Sequence, residues 1–176
     1  MYIDKIRVGN NAPEDVNVVI EIPMDHQYIK YEIDKHSGAI VVDRFLKISM
    51  FYPCNYGFIP HTLSGDGDPL DALVITSHAL LPGTVINVRA IGVFTMEDEA
   101  GQDEKIIAIP THKVDDSYDN IKDIDDLNFG IKKRIYHFFK HYKDLDSQKW
   151  VKVQEFSNKN KAITIISEAI TRAKLK

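Results

Sequence analysis

The chain of 176 residues contains a single cysteine, Cys54, so no internal disulfide can staple it, and the Cys and His spacings of a structural zinc site are missing. No apolar run approaches the ~18 residues that a membrane-spanning helix needs. Met1-Tyr2-Ile3-Asp4-Lys5 has neither the basic start nor the apolar stretch of a secretory signal, so a cytoplasmic, non-membrane location is expected. Positive charge is not in surplus: 22 Lys and Arg face 26 Asp and Glu, giving a net charge of −4. That balance exerts no general pull toward nucleic acid or anionic lipid, and phosphate recognition would need a local basic cluster. Internal repeats, low-complexity tracts and linkers are absent too, and residues 1–176 read as one domain.

What is present fits a globular fold. Apolar residues make up 44% and charged residues 27% of the chain, and its length is enough to bury about two thirds of the unfolded surface. The acidic residues are unevenly divided, with 18 Asp against 8 Glu. Asp is the short, stiffly placed carboxylate that suits turns, helix caps and hard-metal sites. Turns and caps alone account for many of them, so position has to decide.

The first hundred residues carry strand patterns. In Val16–Ile22 the even positions are apolar, and Tyr28–Asp34 alternates with period two, which puts Lys30 and Glu32 on one face. Ala39–Asp43, Ala72–Thr76, Val85–Met96 and Lys105–Ile109 are further strand candidates, separated by Gly and Pro punctuation. Helical patterns come late. Between Leu127 and Leu145 the apolar residues Ile131, Ile135, Phe138, Phe139 and Tyr142 recur at steps of three and four. From Lys161 to Lys174, Ala162, Ile165, Ile166, Ala169 and Ile170 do the same, with a strand candidate at Lys149–Phe156 between the two helices. The expected architecture is α+β: a small closed antiparallel barrel, like an oligonucleotide-binding barrel, with two main helices packed outside.

The densest chemical signal is Asp66-Gly67-Asp68-Pro69-Leu70-Asp71. Gly and Pro force a turn, and an apolar strand follows, so three carboxylates can be aimed at one point, as a divalent cation requires. Two carboxylates ~4 Å apart repel by roughly 4 kcal/mol at an effective dielectric near 20, which favours a raised pKa or a bound cation. An EF-hand loop starting at Asp66 fails on spacing, because it would need Asp or Asn, Gly and Glu where the chain has Leu70, Asp71 and Ser77. A solvated turn remains open as the plain alternative.

This hexapeptide, followed by Ala72, resembles the signature of the family I (soluble) inorganic pyrophosphatases. Glu21-Ile22-Pro23, Lys30-Tyr31-Glu32, Val42-Asp43-Arg44-Phe45, Phe51–Gly57, Asp98–Lys105 and His137–Leu145 also look like the bacterial branch of that family, in the family's order. The resemblance implies hydrolysis of pyrophosphate to two orthophosphates by a Mg²⁺-dependent enzyme with several ions per active site. It implies that Asp66, Asp71 and Asp103 hold the first ion, that Asp71 shares a second, and that Asp98 joins Asp103 around a third. Glu21 and Glu32 would bind or orient further metal at the rim. Asp68 would accept a proton from the attacking water. Lys30, Arg44, Lys105, Tyr142 and Lys143 would contact phosphoryl oxygens, with Tyr56 hydrogen-bonding in the site and Tyr52 behind an acidic ligand. His137, His141 and Asp144 resemble a subunit contact of hexameric bacterial enzymes, so a homohexamer is expected.

Taken singly, these residues have blander explanations. Lys30 beside Glu32 could be an exposed ion pair worth under ~1 kcal/mol, and Tyr52 and Tyr56 could be barrel packing. A nucleic-acid-binding barrel would need a basic groove with exposed aromatics, which this acidic chain does not offer. A hydrolase of another phosphoanhydride, such as a nucleoside triphosphate, stays open.

Overall fold

The computed structural model describes residues 3–175. Its strands are β1 (Val16–Ile22), β2 (Ile29–Ile33), β3 (Ile40–Phe45), β4 (Asn55–Phe58), β5 (Asp71–Val74), β6 (Val85–Asp98), β7 (Gly101–Pro110) and β8 (Val151–Asn158). Two α-helices follow late in the chain, α1 (Phe129–His141) and α2 (Lys159–Lys174). The main sheet runs β1-β4-β5-β7-β6-β8, and a further pairing of β1 with β6 closes five of these strands into a ring. β2 and β3 form a separate hairpin. The expected α+β barrel with two outer helices is therefore observed.

One pairing departs from the antiparallel expectation. β5 lies parallel to β7, with Asp71 opposite Lys105 and Val74 opposite Ala108. A parallel neighbour needs a long crossover. Residues 75–100, which include β6, supply it, and the register brings a carboxylate and an ammonium side by side.

Alternation accounts for the two-sided core. Leu73, Ile107 and Ile109 join a cluster under α1 that includes Phe138 and Phe139, while Ala72, Val74, Ile106 and Ala108 join a second cluster with Ala162, Ile165, Ile166 and Ala169 of α2. Both faces of these strands are covered, so they read as continuous apolar runs. β1 shows the same effect: Val19 is buried as well as the even positions.

The helices keep their expected apolar faces, with boundaries fixed by caps. Asn128 accepts from the backbone N–H of Gly130 at 2.7 Å and starts α1, and Asn158 accepts from that of Lys161 at 3.1 Å and starts α2. β4 is a strand that the Pro53, Asn55 and Gly57 punctuation conceals. Gly57 is required there, because a Cβ at this position would lie 2.0 Å from the Val19 carbonyl oxygen across the β1–β4 ladder.

Candidate active site

Where the ends of the ring strands meet the β2–β3 hairpin and the C-terminal end of α1, the surface opens into a cleft of about 290 Å³. All thirteen expected site residues line it: Glu21, Lys30, Glu32, Arg44, Tyr56, Asp66, Asp68, Asp71, Asp98, Asp103, Lys105, Tyr142 and Lys143. The volume lies just below the usual range for small-molecule pockets, which suits a compact ligand.

At the floor is Lys105, buried to 3% exposure. Its Nζ donates to Asp71 Oδ2 at 2.7 Å and to Asp103 Oδ1 at 2.9 Å, and reaches Tyr56 Oη at 3.5 Å. Strand geometry makes this knot. Asp103 and Lys105 are two apart on β7, hence on one face, and the parallel register sets Asp71 beside Lys105. Tyr56 and Asp71 lie diagonally across the β4–β5 pair, and the Tyr56 hydroxyl donates to Asp71 Oδ2. Tyr56, not Tyr52, is thus the tyrosine bonded to an acidic candidate ligand. Tyr52 packs edge-on against it at 6.0 Å between ring centroids.

Burial and charge oppose one another at this floor. Desolvation works to discharge Lys105, but Asp103 and Asp71 outweigh it and hold the ammonium above its ordinary pKa. Asp103 is pushed up by burial despite Lys105, with the Asp71 charge adding to the rise. Glu21, on β1, is raised from 4.5 to about 7 by burial, even though its Oε1 accepts the Ile33 N–H at 2.8 Å.

A second knot sits at the tip of the β6–β7 hairpin. Gly101 turns the chain at φ +120°, and the register opposes Asp98 to Gly101 and Met96 to Asp103, so Asp98 and Asp103 share a face. Lys143, just beyond α1, donates to Asp98 Oδ2 at 2.7 Å and to Glu99 Oε1 at 3.0 Å. Burial would raise the Asp98 pKa, but the Lys143 bond and the Ala100 N–H prevail and lower it.

The hairpin supplies the far wall. Lys30 and Arg44 are cross-strand partners, Lys30 pairs with Glu32, and both cations meet Asp43 Oδ2, at 3.2 and 3.0 Å. The Arg44 Nε is buried with no hydrogen-bond partner among the described residues. Across the mouth, Lys35 Nζ donates to Asp68 Oδ1 at 2.5 Å. Asp68 is held in its turn by its own N–H donating to Asp66 Oδ1 at 3.0 Å.

Four residues at the site escaped the sequence reading: Lys35, Asp43, Glu99 and Lys149. Asp43 and Glu99 stand inside segments that carry the resemblance, next to residues already singled out, and only the partners of Arg44 and Lys143 mark them. Lys35 falls beyond the alternating run, in a turn, where no periodicity points.

Eight acidic and six basic side chains line the cleft, so its wall is net acidic when all are ionised. Its carboxylates are the only metal-binding side chains lining it among the described residues, a hard-oxygen donor set that fits Mg²⁺-like ions rather than softer metals. No three of them converge tightly enough to chelate one ion in this arrangement among the described residues, and Lys35 and Lys105 each bond to candidate donor oxygens, Asp68 Oδ1, Asp71 Oδ2 and those of Asp103.

The comparisons agree with this chemistry. A family model described as inorganic pyrophosphatase matches residues 18–174. An inorganic pyrophosphatase of Rickettsia felis is 60% identical over 98% of this chain and 99% of its own length, and one of Brucella melitensis is 55% identical over 99% of both. Among solved structures, the inorganic pyrophosphatase of Thermus thermophilus superposes with a TM-score of 0.93 at 44% identity, covering 99% of each chain. That of Helicobacter pylori gives 0.92 at 49%, covering 97% of this chain and 99% of its own. A match of this extent, on a chain whose acidic hexapeptide, lysine-bridged carboxylates and paired cations meet in one cleft, places the protein in the inorganic pyrophosphatase family.

Proposed function

We propose that this chain hydrolyses pyrophosphate to two orthophosphates in the cleft, with Mg²⁺ as its metal and Asp68 as the proton acceptor. The observation that carries the reading is the charge of the wall. A compact polyanion does not enter a net acidic cleft alone, yet six cations line the same space, Lys30, Arg44, Lys105 and Lys143 among them. Substrate and divalent cations together satisfy both sets of groups, and family membership implies a divalent-metal cofactor.

Asp66, Asp71, Asp103 and Asp98 would hold several Mg²⁺ ions, with Glu21 and Glu32 orienting them from the rim. When bound, such ions neutralise phosphate charge and acidify water that they polarise. The chain's own groups do the rest. Arg44 offers a planar fork to a phosphoryl group, and Lys30, Lys105 and Lys143 offer point charges. Tyr142, half-buried against Phe138 and Phe139, adds a hydroxyl. Attack of water on one phosphorus forms a P–O bond as the bond to the bridging oxygen breaks. The proton of the water passes to Asp68, and the leaving phosphate departs among the cations.

Phosphate release from pyrophosphate and from ATP, each with Mg²⁺ and with EDTA, tests the reading. Hydrolysis of pyrophosphate should require Mg²⁺, and Ca²⁺ should bind without supporting turnover. Undiminished activity in EDTA, or a preference for ATP, would refute it.

The assembly is proposed to be a homohexamer in the cytoplasm, on the resemblance of the His137–Asp144 segment. The imidazoles of His137 and His141 lie 4.8 Å apart, and His141 Nδ1 already has a carboxylate partner in its own chain, Asp144 Oδ2 at 2.7 Å. No helix among the described residues is long and apolar enough to cross a membrane.

A further inference from the structure

The backbone of Asp68 is held by its N–H on Asp66 Oδ1 and by the Ser64 N–H on its carbonyl at 2.7 Å, yet the residue is poorly placed to hold its own carboxylate. Its side chain is 71% exposed, and its loop is flanked by Gly65 and Gly67, where a Cβ would meet nothing within 4 Å. Gly67 has φ +94°, a conformation that glycine adopts without strain. A proton acceptor must sit within hydrogen-bond reach of the water it serves, and a misplacement of about 1 Å can cost about 10²-fold in rate. Something has to fix the carboxylate.

Among the described residues one side chain does so. Lys35 comes from the other side of the cleft mouth, 33 residues earlier in the chain, and donates to Asp68 Oδ1. The turn that carries its half-exposed side chain is firmly bonded. Lys35 sits in the turn of the β2–β3 hairpin, where Asp34 Oδ1 accepts from both the N–H and the hydroxyl of Ser37, at 2.6 and 2.5 Å. The Asp34 N–H donates to the Ala39 carbonyl at 2.9 Å, and the Gly38 N–H to that of Asp34 at 2.7 Å. A donor carried on a tied-down turn thus meets an exposed acceptor on the opposite loop. Oδ2 of Asp68, which has no side-chain partner among the described residues, is left to face the cleft chemistry.

We propose that Lys35 is a positioning residue for the reaction: it acts through Asp68, holding the carboxylate over the cleft, rather than through the substrate. The inference rests on the assignment of Asp68 as proton acceptor. It predicts that Lys35 matters to turnover and little to ground-state binding.

The test is a double-mutant cycle with Lys35→Met and Asp68→Asn in Mg²⁺ at saturating pyrophosphate. Lys35→Met should lower kcat by about ten-fold to a hundred-fold with KM little changed, the signature of misplaced machinery. Lys35→Arg, which keeps a cationic donor, should recover most of the loss. In the Asp68→Asn background, Lys35→Met should change kcat by less than about twofold, because the residue it positions is already disabled. Equal losses in both backgrounds, or a raised KM at unchanged kcat, would overturn the inference and make Lys35 a substrate cation, while the role of Asp68 would stand. An Asp68→Asn enzyme with intact kcat would overturn both.

Discussion

Glu21 offers the most direct check on the electrostatics of the cleft. The residue is 8% exposed, and burial lifts its pKa from 4.5 to about 7, with the Asp71 charge contributing to the rise. The unfolded chain returns it to its ordinary value. A carboxyl that holds its proton more tightly when folded contributes its full stability below pH 4.5, and that stability is lost as pH rises through 4.5 to about 7. Each tenfold change in proton affinity is worth about 1.36 kcal/mol, so the ionised Glu21 costs the metal-free protein roughly 3 kcal/mol at pH 8. Glu21→Gln removes the charge but keeps an oxygen to accept the Ile33 N–H. Urea unfolding in EDTA should therefore find the variant more stable than the parent by about 2–3 kcal/mol at pH 8, and by under ~1 kcal/mol at pH 5. The same variant should lose activity in Mg²⁺ if Glu21 orients the metal. A stability difference that is absent at pH 8, or equal at both pH values, would refute the reasoning.

Lys105→Met should destabilise the protein by about 1–3 kcal/mol at neutral pH, since it leaves the half-buried carboxylates of Asp71 and Asp103 without their cation, and the loss should shrink at low pH, as calorimetry at two pH values would show. Gly57→Ala drives a Cβ into the Val19 carbonyl, so it should cost at least the ~1–3 kcal/mol of ordinary overpacking, read as a lowered Tm. Asp68→Asn should lower kcat by about 10²–10⁴ with modest loss of metal affinity, whereas Asp71→Asn should weaken Mg²⁺ binding and activity together and be partly rescued by excess Mg²⁺. Equal rescue of both in parallel Mg²⁺ titrations would make Asp68 a ligand and not the base. Sedimentation at neutral pH should show six subunits, and a monomer would retire the hexamer.

Much of the fold and of the site is legible in the sequence, and the reasons differ by element. The helices were legible because a covered apolar stripe recurs at 3.6 residues, and Ile135, Phe138 and Phe139 are indeed the buried face of α1. β4 was not, because Asn55 and Gly57 are chosen for contacts that leave no periodic trace. Asn55 accepts from the N–H groups of Met24 and Leu80, and Gly57 lets two backbones approach. The parallel β5–β7 pairing is likewise invisible, since register is a property of two segments and neither states it alone. At the site, the carboxylates and cations stood out through their motif, while Lys35 and Asp43 became visible only through the side chains that they hold.

That division follows from how the cleft is stabilised. Eight acidic side chains around one small space would repel one another, and the chain offsets this from within: Lys105 between Asp71 and Asp103, Lys143 between Asp98 and Glu99, Lys30 between Glu32 and Asp43, Lys35 on Asp68. Each of these cations is bonded to carboxylates that the proposed reaction needs for metal or proton. Binding of a divalent cation to the carboxylates of Asp71, Asp98, Asp103 and Glu32 would free Lys105, Lys143 and Lys30 for a phosphate ligand, while Lys35 stays on the proton acceptor. Metal and substrate affinity should therefore be coupled through the lysines and not only through contact between ion and anion. Coupling of this kind is reciprocal, so pyrophosphate must raise Mg²⁺ affinity by the factor by which Mg²⁺ raises that for pyrophosphate.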